Sequence, residues 1–254
     1  DVEEVSVLFV NHQEKDKLDK FVDESLKKKA KLVITSLNSS SNDERVIKVK
    51  NYDEILLESY NYLCTDYKSK KYFGITGTNG KTTTGSYLKE LIGEESLFIG
   101  TNEDDLFSEI TNEKHLTSPK IFNILKLLGK PDFKKYKNII LEASSHALDQ
   151  DRFKGIKFNT SSFTNLSQDH FDYHANIQNY FNSKLKLFSD QLSDKYVYID
   201  NMWGNKVYEN SSLPSFKIST ETDSDLQILE KKTYPKTSLK IQVDKKIYDF
   251  ELNI

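Results

Sequence analysis

Cysteine is almost missing from this chain: its 254 residues include one, Cys64, beside a single methionine and a single tryptophan. A lone thiol excludes an internal disulfide. Cys64 lies in a helix-like run with Ile55, Leu56, Ser59, Tyr60 and Leu63, and it reads as core packing rather than as a reactive group. No stretch approaches the roughly 18 apolar residues of a membrane span, and the acidic, polar start does not resemble a secretory signal. A surplus of positive charge is lacking too. The formal net charge of −3 argues against a general nucleic-acid binder, because such proteins present basic surfaces that neutralise phosphates. The expectation is a cytoplasmic monomer with neither nucleic acid nor membrane as partner.

What is present is alternation of strand and helix patterns, in a chain long enough for one large domain or two modest ones. Residues 4–10 read as a strand, 16–29 carry Leu18, Phe21, Val22 and Leu26 at helical spacing, and 30–36 read as a second strand. Residues 36–44 form a polar loop, a helix follows around 55–63, and the polar stretch 65–71 looks like a linker. The second part is longer. Strands at 72–76, 96–101, 138–144, 160–166 and 196–200 alternate with helical runs, which implies a mostly parallel sheet. The last 30 or so residues alternate with period two around an Asp244-Lys245 turn, the mark of antiparallel strands.

Four stretches concentrate chemistry. In Gly77-Thr78-Asn79-Gly80-Lys81-Thr82, followed by Thr83, glycines let backbone N–H groups curl around an anion and the helix start adds positive dipole. Lys81 supplies a full charge, and Thr82 stands where a phosphate loop places the hydroxyl that binds Mg²⁺. The first glycine of the full phosphate-loop pattern is replaced by Ile75. Second, Glu142 sits inside an apolar strand that runs into "EASSHALDQDR", and a carboxylate there is costly unless paired or metal-bound. Third, "FTNLSQDHFDYH" follows another strand to the same sheet edge; its Asp169, His170, Asp172 and His174 could hold Mg²⁺ or Mn²⁺, or equally be solvated. Fourth, Ile177, Tyr180, Phe181 and Phe188 form a helical stripe on which Lys184 also falls, whereas Lys186 points elsewhere. An inward amine must find a counter-charge, reach water or lose its proton, and a neutral amine can add CO₂ to become an anionic carbamate.

In this order, "GTNGKTTT", "EASSHALDQDR", "FTNLSQDHFDYH" and "YFNSKLKLF" resemble the Mur ligases, the ATP-dependent amino-acid ligases of peptidoglycan synthesis, over residues 69–254. The tripeptide-synthetase branch is the nearest. The resemblance implies a fold of α/β class: a central, mostly parallel phosphate-loop ATPase sheet with flanking helices and terminal antiparallel strands, preceded by a small, partial α/β domain at 1–68 on the side of the UDP substrate. It implies ATP and two Mg²⁺ as cofactors, with Gly77 to Thr83 around the nucleotide and Lys81 on its β- and γ-phosphates. Thr82 and Glu142 would hold one Mg²⁺, and His170 with carbamylated Lys184 the other. Thr117 and Ser118, with Ser144, Gln150 and Arg152, would meet a UDP-N-acetylmuramoyl-dipeptide, to which a diamino acid, meso-diaminopimelate or L-lysine, is joined through an acyl phosphate. Two departures suggest a fragment that is nearly inactive alone: the Asp-Ser-Arg stretch that helps bind the uridine nucleotide and the third, C-terminal domain of the family are not found. Sister branches of the family, and a nucleotide-binding module that makes no amide, are the alternatives.

Overall fold

The computed structural model describes residues 6–101, 117–233 and 237–252. The chain divides into two compact units, Asp1–Tyr67 and Lys68–Ile254. Glu4 and Val5 of the expected first strand, and Asn253 and Ile254 at the far end, lie outside the described residues.

In the first unit, β1 (Val7–Val10), β2 (Leu32–Ser36) and β3 (Val46–Val49) form a parallel sheet in the order β1-β2-β3, with helices α1 (Lys15–Lys27) and α2 (Tyr52–Leu63). Leu18 and Val22, one helical turn apart, lose all exposure and pack with Ala30 and Val33, flanked by Leu8, Val10, Leu26 and Val46. The sequence pattern does not signal β3, because Val46, Ile47 and Val49 alternate weakly and Ile47 stays exposed; its pairing with β2 makes it a strand. The stretch read as a linker is also partly core. Tyr67–Ser69 is a short 3-10 turn, Tyr67 is 2% exposed, and its ring meets Tyr60 edge-on. Lys70 is buried as well, with its amine donating to the Tyr136 carbonyl at 2.8 Å. A tyrosine ring and a lysine stem bury apolar area that a count of polar residues overlooks.

Among the described residues the second unit is built on nine strands in the order β12-β11-β10-β9-β8-β7-β4-β6-β5. They are β4 (Lys71–Thr76), β5 (Ser96–Ile99), β6 (Asn138–Glu142), β7 (Thr160–Phe163), β8 (Tyr196–Ile199), β9 (Ser215–Ser219), β10 (Leu226–Lys232), β11 (Thr237–Val243) and β12 (Lys246–Leu252). Every pairing from β5 to β10 is parallel; β10-β11 and β11-β12 are antiparallel. The final hairpin turns at Asp244 and Lys245, both with positive φ (48° and 65°), as two-residue turns that match strand twist require. The pattern does not signal β9. The expected strands at 96–101, 138–144 and 160–166 end early, and their last residues form the loops of the site.

Helices α3 (Lys81–Ile92), α4 (Ile121–Leu128), α5 (Ser145–Asp149), α6 (Phe171–His174), α7 (Ile177–Leu185) and α8 (Met202–Asn210) complete the unit as described. Leu88 and Ile92 of α3 pack on Ile75, Phe98 and Ile140 from β4, β5 and β6. That seats α3 directly behind the loop leaving β4. Because β4 lies between β6 and β7 and all three run parallel, their carboxyl ends deliver three loops to one edge, where ligands collect in open α/β sheets. Ile140→Ala should destabilise the protein by about 2–5 kcal/mol in urea unfolding, whereas Ile247→Ala, at a side chain 55% exposed, should change it by less than about 0.5 kcal/mol.

Candidate functional site

The loop from Gly77 to Gly80 joins β4 to α3, and Gly80 has the left-handed φ of 84° that caps the helix start. Gly77 is glycine for a second reason as well: at φ 150° a Cβ there would collide with Thr164 Oγ1. The loop leaving β7 braces this turn. Thr164 Oγ1 and Asn165 Nδ2 donate to Asn79 O at 2.7 and 3.0 Å, Asn79 N donates to Asn165 Oδ1 at 3.0 Å, and Thr78 N donates to Asn165 O at 3.0 Å. Thr83 is exposed on the first turn of α3.

Two amines meet at one oxygen. Lys81 Nζ donates to Gly77 O at 3.0 Å and to Thr78 O at 2.9 Å, and Lys184 Nζ donates to the same Gly77 O at 2.9 Å. Lys184 is 1% exposed, near the end of α7, whose start is capped by the Asn176 side chain accepting from Asn179 N. Its Nζ lies 4.4 Å from the centroid of the Tyr180 ring. Burial, reinforced by the Lys81 charge, holds the Lys184 amine down to about 7, with Asp169 pulling weakly the other way. Burial also lowers Lys81, against the pull of Glu142 and Asp169. Lys186 points away and stays exposed, donating to Asp149 O at 3.0 Å.

Glu142 ends β6 and is 1% exposed. Its Oε1 accepts from Thr82 Oγ1 at 2.7 Å and from Thr101 N at 3.1 Å, and its Oε2 accepts from Thr101 Oγ1 at 3.1 Å. A Cβ on Gly100 would collide with this carboxylate, so glycine there admits it. These donors are neutral, and a buried carboxylate is costly without a cation. Thr101 was missed from sequence. The signal for it was its place just past a parallel strand neighbouring that of Glu142.

On the other side of Glu142, Ser118 Oγ donates to the Glu142 carbonyl at 2.6 Å and accepts from Ser144 N at 2.9 Å. Arg152 donates to Ser118 O through Nη1 at 2.8 Å, and to Gln150 Oε1 through Nε and Nη2 at 3.0 and 2.7 Å. Ser118, Ser144, Gln150 and Arg152 are thus brought together, next to a half-buried Thr117. Ser144 also caps α5, accepting from Ala147 N at 3.2 Å.

The group Asp169, His170, Asp172 and His174 is not assembled as a metal centre: among the described residues no three His, Cys, Asp or Glu side chains gather as one. Helix geometry explains the scatter. His170 is exposed with φ 52° and lies 3.5 Å from Asp169, and Asp172 is also exposed. His174 turns inward, where Nε2 meets Ser145 Oγ at 2.9 Å and Nδ1 meets Ser183 Oγ at 3.4 Å; burial lowers its pKa. The His146 ring lies tilted at 4.1 Å from Tyr173 and edge-on at 5.2 Å from His170, and burial and His170 lower it too. His170 and Lys184 both border the Tyr180 ring, at 6.0 and 4.4 Å.

An amine at about 7 in the fold and at its ordinary 10.5 when unfolded gives the unfolded chain more bound protons between those values. Stability therefore rises with pH across that window, and the penalty of burying the charge is fully present below it. In CO₂-free buffer, the urea midpoint of the protein relative to Lys184→Met should increase from pH 7 to about pH 9.5; a constant difference would contradict the depressed amine.

The comparisons with known proteins agree with this geometry. Residues 75–254 match the model of the Mur ligase middle domain. The UDP-N-acetylmuramoyl-L-alanyl-D-glutamate–2,6-diaminopimelate ligase of Clostridium tetani is 32% identical over 216 residues, which are 82% of this chain and 44% of that protein. A solved structure of a ligase of the same name superposes with a TM-score of 0.73 at 21% identity, covering 96% of this chain and 52% of the other. The MurF ligase from Thermotoga maritima, solved in complex with ADP, gives a TM-score of 0.57 at 16% identity, over 98% and 56% of the two chains. The chain thus spans about half the length of the curated relatives it matches. A phosphate-type loop braced by the neighbouring strand's loop, a buried lysine reaching it from a later helix, and a match over most of the second unit together show that this chain belongs to the Mur ligase family.

Proposed function

We propose that the chain provides the ATP-handling centre of a ligase that adds the third residue, a diamino acid, to UDP-N-acetylmuramoyl-L-alanyl-D-glutamate in peptidoglycan synthesis. The observation that carries this reading is the convergence of Lys81 and Lys184 on Gly77 O beside a helix N-terminus. Two amines and an amide-lined turn in a desolvated corner make a place for polyphosphate. Residues 69–254 act as the ATP-binding domain in this reading and residues 1–68 as the domain on the side of the UDP substrate. The protein works as a monomer in the cytoplasm.

Lys81 exchanges its loop carbonyls for β- and γ-phosphate oxygens, and within the turn from Gly77 to Thr83 the amides at the start of α3 hold the remaining charge, those of Thr78 and Asn79 being already given to Asn165. The Thr82 hydroxyl and Glu142 carboxylate, 2.7 Å apart, are an oxygen pair of the kind Mg²⁺ prefers. Bound there, Mg²⁺ would neutralise charge on the transferring phosphoryl group. The near-neutral, buried Lys184 suits carbamylation; as a carbamate, with His170, it would give a second Mg²⁺ an anionic ligand. Arg152, held by Gln150, is oriented to pair with a substrate carboxylate, supported by Thr117, Ser118 and Ser144.

A carboxylate oxygen of the substrate attacks the γ-phosphorus and ADP departs, leaving an acyl phosphate. The incoming amine then attacks the acyl carbon, an amide forms, and phosphate leaves with loss of one amine proton. The site's contribution is mostly electrostatic, since negative charge gathers around the moving phosphoryl group.

The test is acceptor-dependent release of phosphate by the intact protein. With ATP and Mg²⁺, UDP-N-acetylmuramoyl-L-alanyl-D-glutamate plus meso-diaminopimelate or L-lysine should stimulate release, whereas folate or the tripeptide nucleotide should not. Lys184→Ala should reduce turnover by at least ~100-fold, the scale of losing one preorganised charge at such a centre. Unchanged turnover in that variant would remove the lysine from the reaction.

A further inference from the structure

Tyr180 sits one turn before Lys184 on α7, is 1% exposed, and has no role in the reaction just described. Its hydroxyl lies 3.3 Å from Thr78 Oγ1 in the phosphate-type loop. That threonine hydroxyl has one hydrogen and two lone pairs. It donates to Ser167 O at 3.2 Å and accepts from Ser167 N at 2.9 Å. The remaining lone pair faces Tyr180, so the phenol is the donor.

The ring has a second set of contacts. Lys184 Nζ stands over it at 4.4 Å, and His170 and His174 border it at 6.0 and 5.2 Å. One rigid side chain therefore touches the loop after β4, the loop after β7 and the lysine of α7. An aromatic face attracts a desolvated ammonium without neutralising it, and it fixes the long lysine chain in one path to Gly77 O.

We propose that Tyr180 is a positioning residue that locks the phosphate-type loop to the lysine helix, its hydroxyl setting Thr78 and its ring seating the Lys184 amine. This rests on the reading of the loop as a nucleotide site. If Tyr180 were only core filling, phenylalanine would serve equally well, because it retains the ring, the burial and the volume.

The experiment uses the full chain in two arms, each with a thermal melt to establish that the variant is folded. Calorimetry with Mg²⁺ and a non-hydrolysable ATP analogue should show Tyr180→Phe binding about fivefold more weakly, the worth of one neutral hydrogen bond. Thr78→Val should weaken binding at least as much, and the double variant no further than Thr78→Val alone. Additive losses, or Tyr180→Phe binding as tightly as the wild type, would overturn the role of the hydroxyl. In the second arm, amine-reactive labelling of Lys184 is read by mass spectrometry without nucleotide. Tyr180→Leu should label faster than wild type while Tyr180→Phe does not; equal rates in Tyr180→Leu and wild type would overturn the role of the ring. A wild-type chain that binds no analogue would instead sink the nucleotide reading and the hydroxyl's role with it, leaving the labelling arm to judge the ring.

Discussion

Lys81 and Lys184 both donate to the carbonyl of Gly77, and the repulsion between two amines in a pocket with little water is the constraint around which the second unit is arranged. Like charges so placed persist only if one gives up its proton or an anion joins them. The fold supplies means toward both. Burial pushes Lys184 toward neutrality, and Glu142 and Asp169 act on Lys81 from a distance.

Sheet order makes this convergence possible. Lys81 lies 103 positions before Lys184 in the chain, and they meet because β4 is flanked by β6 and β7, so the loops from all three strands share an edge. The loop from β7 does more than lie nearby. Through Thr164 and Asn165 it holds Asn79 in place, so the shape of the phosphate-type turn is set partly by residues outside it. Glu142 is anchored in the same way by Thr101 from the next strand, where a glycine leaves room for the carboxylate.

Much of this was legible in the sequence because it follows from period and spacing. The alternation of strand and helix, the glycine turn before α3, the C-terminal hairpin around Asp244 and Lys245, and the inward face of Lys184 all depend on local patterns. What was not legible depends on partners distant in the chain. β3 and β9 are strands because of the strands they pair with, not because of their own alternation. The stretch around Tyr67 and Lys70 does contain the division between the two units, but composition counts a phenol and an amine as polar and so misses the carbon that Tyr67 and Lys70 bury. For the acidic and histidine residues after β7 the sequence left a metal cluster and a solvated loop equally open; the tight turn at His170 and the short α6 send His174 inward and leave Asp172 outside. Thr101 and Tyr180 reach the glutamate and the loop from elements distant in the chain, which spacing within a motif cannot express.

The position of Lys81 has a kinetic meaning. Its half-buried ammonium rests on two backbone oxygens of the turn it serves. In the nucleotide reading proposed above, a triphosphate entering there would trade one oxygen partner of the ammonium for another. On that reading the turn's own carbonyls would behave as a built-in competitor, which would favour quick exchange of spent nucleotide for fresh over very tight retention of either.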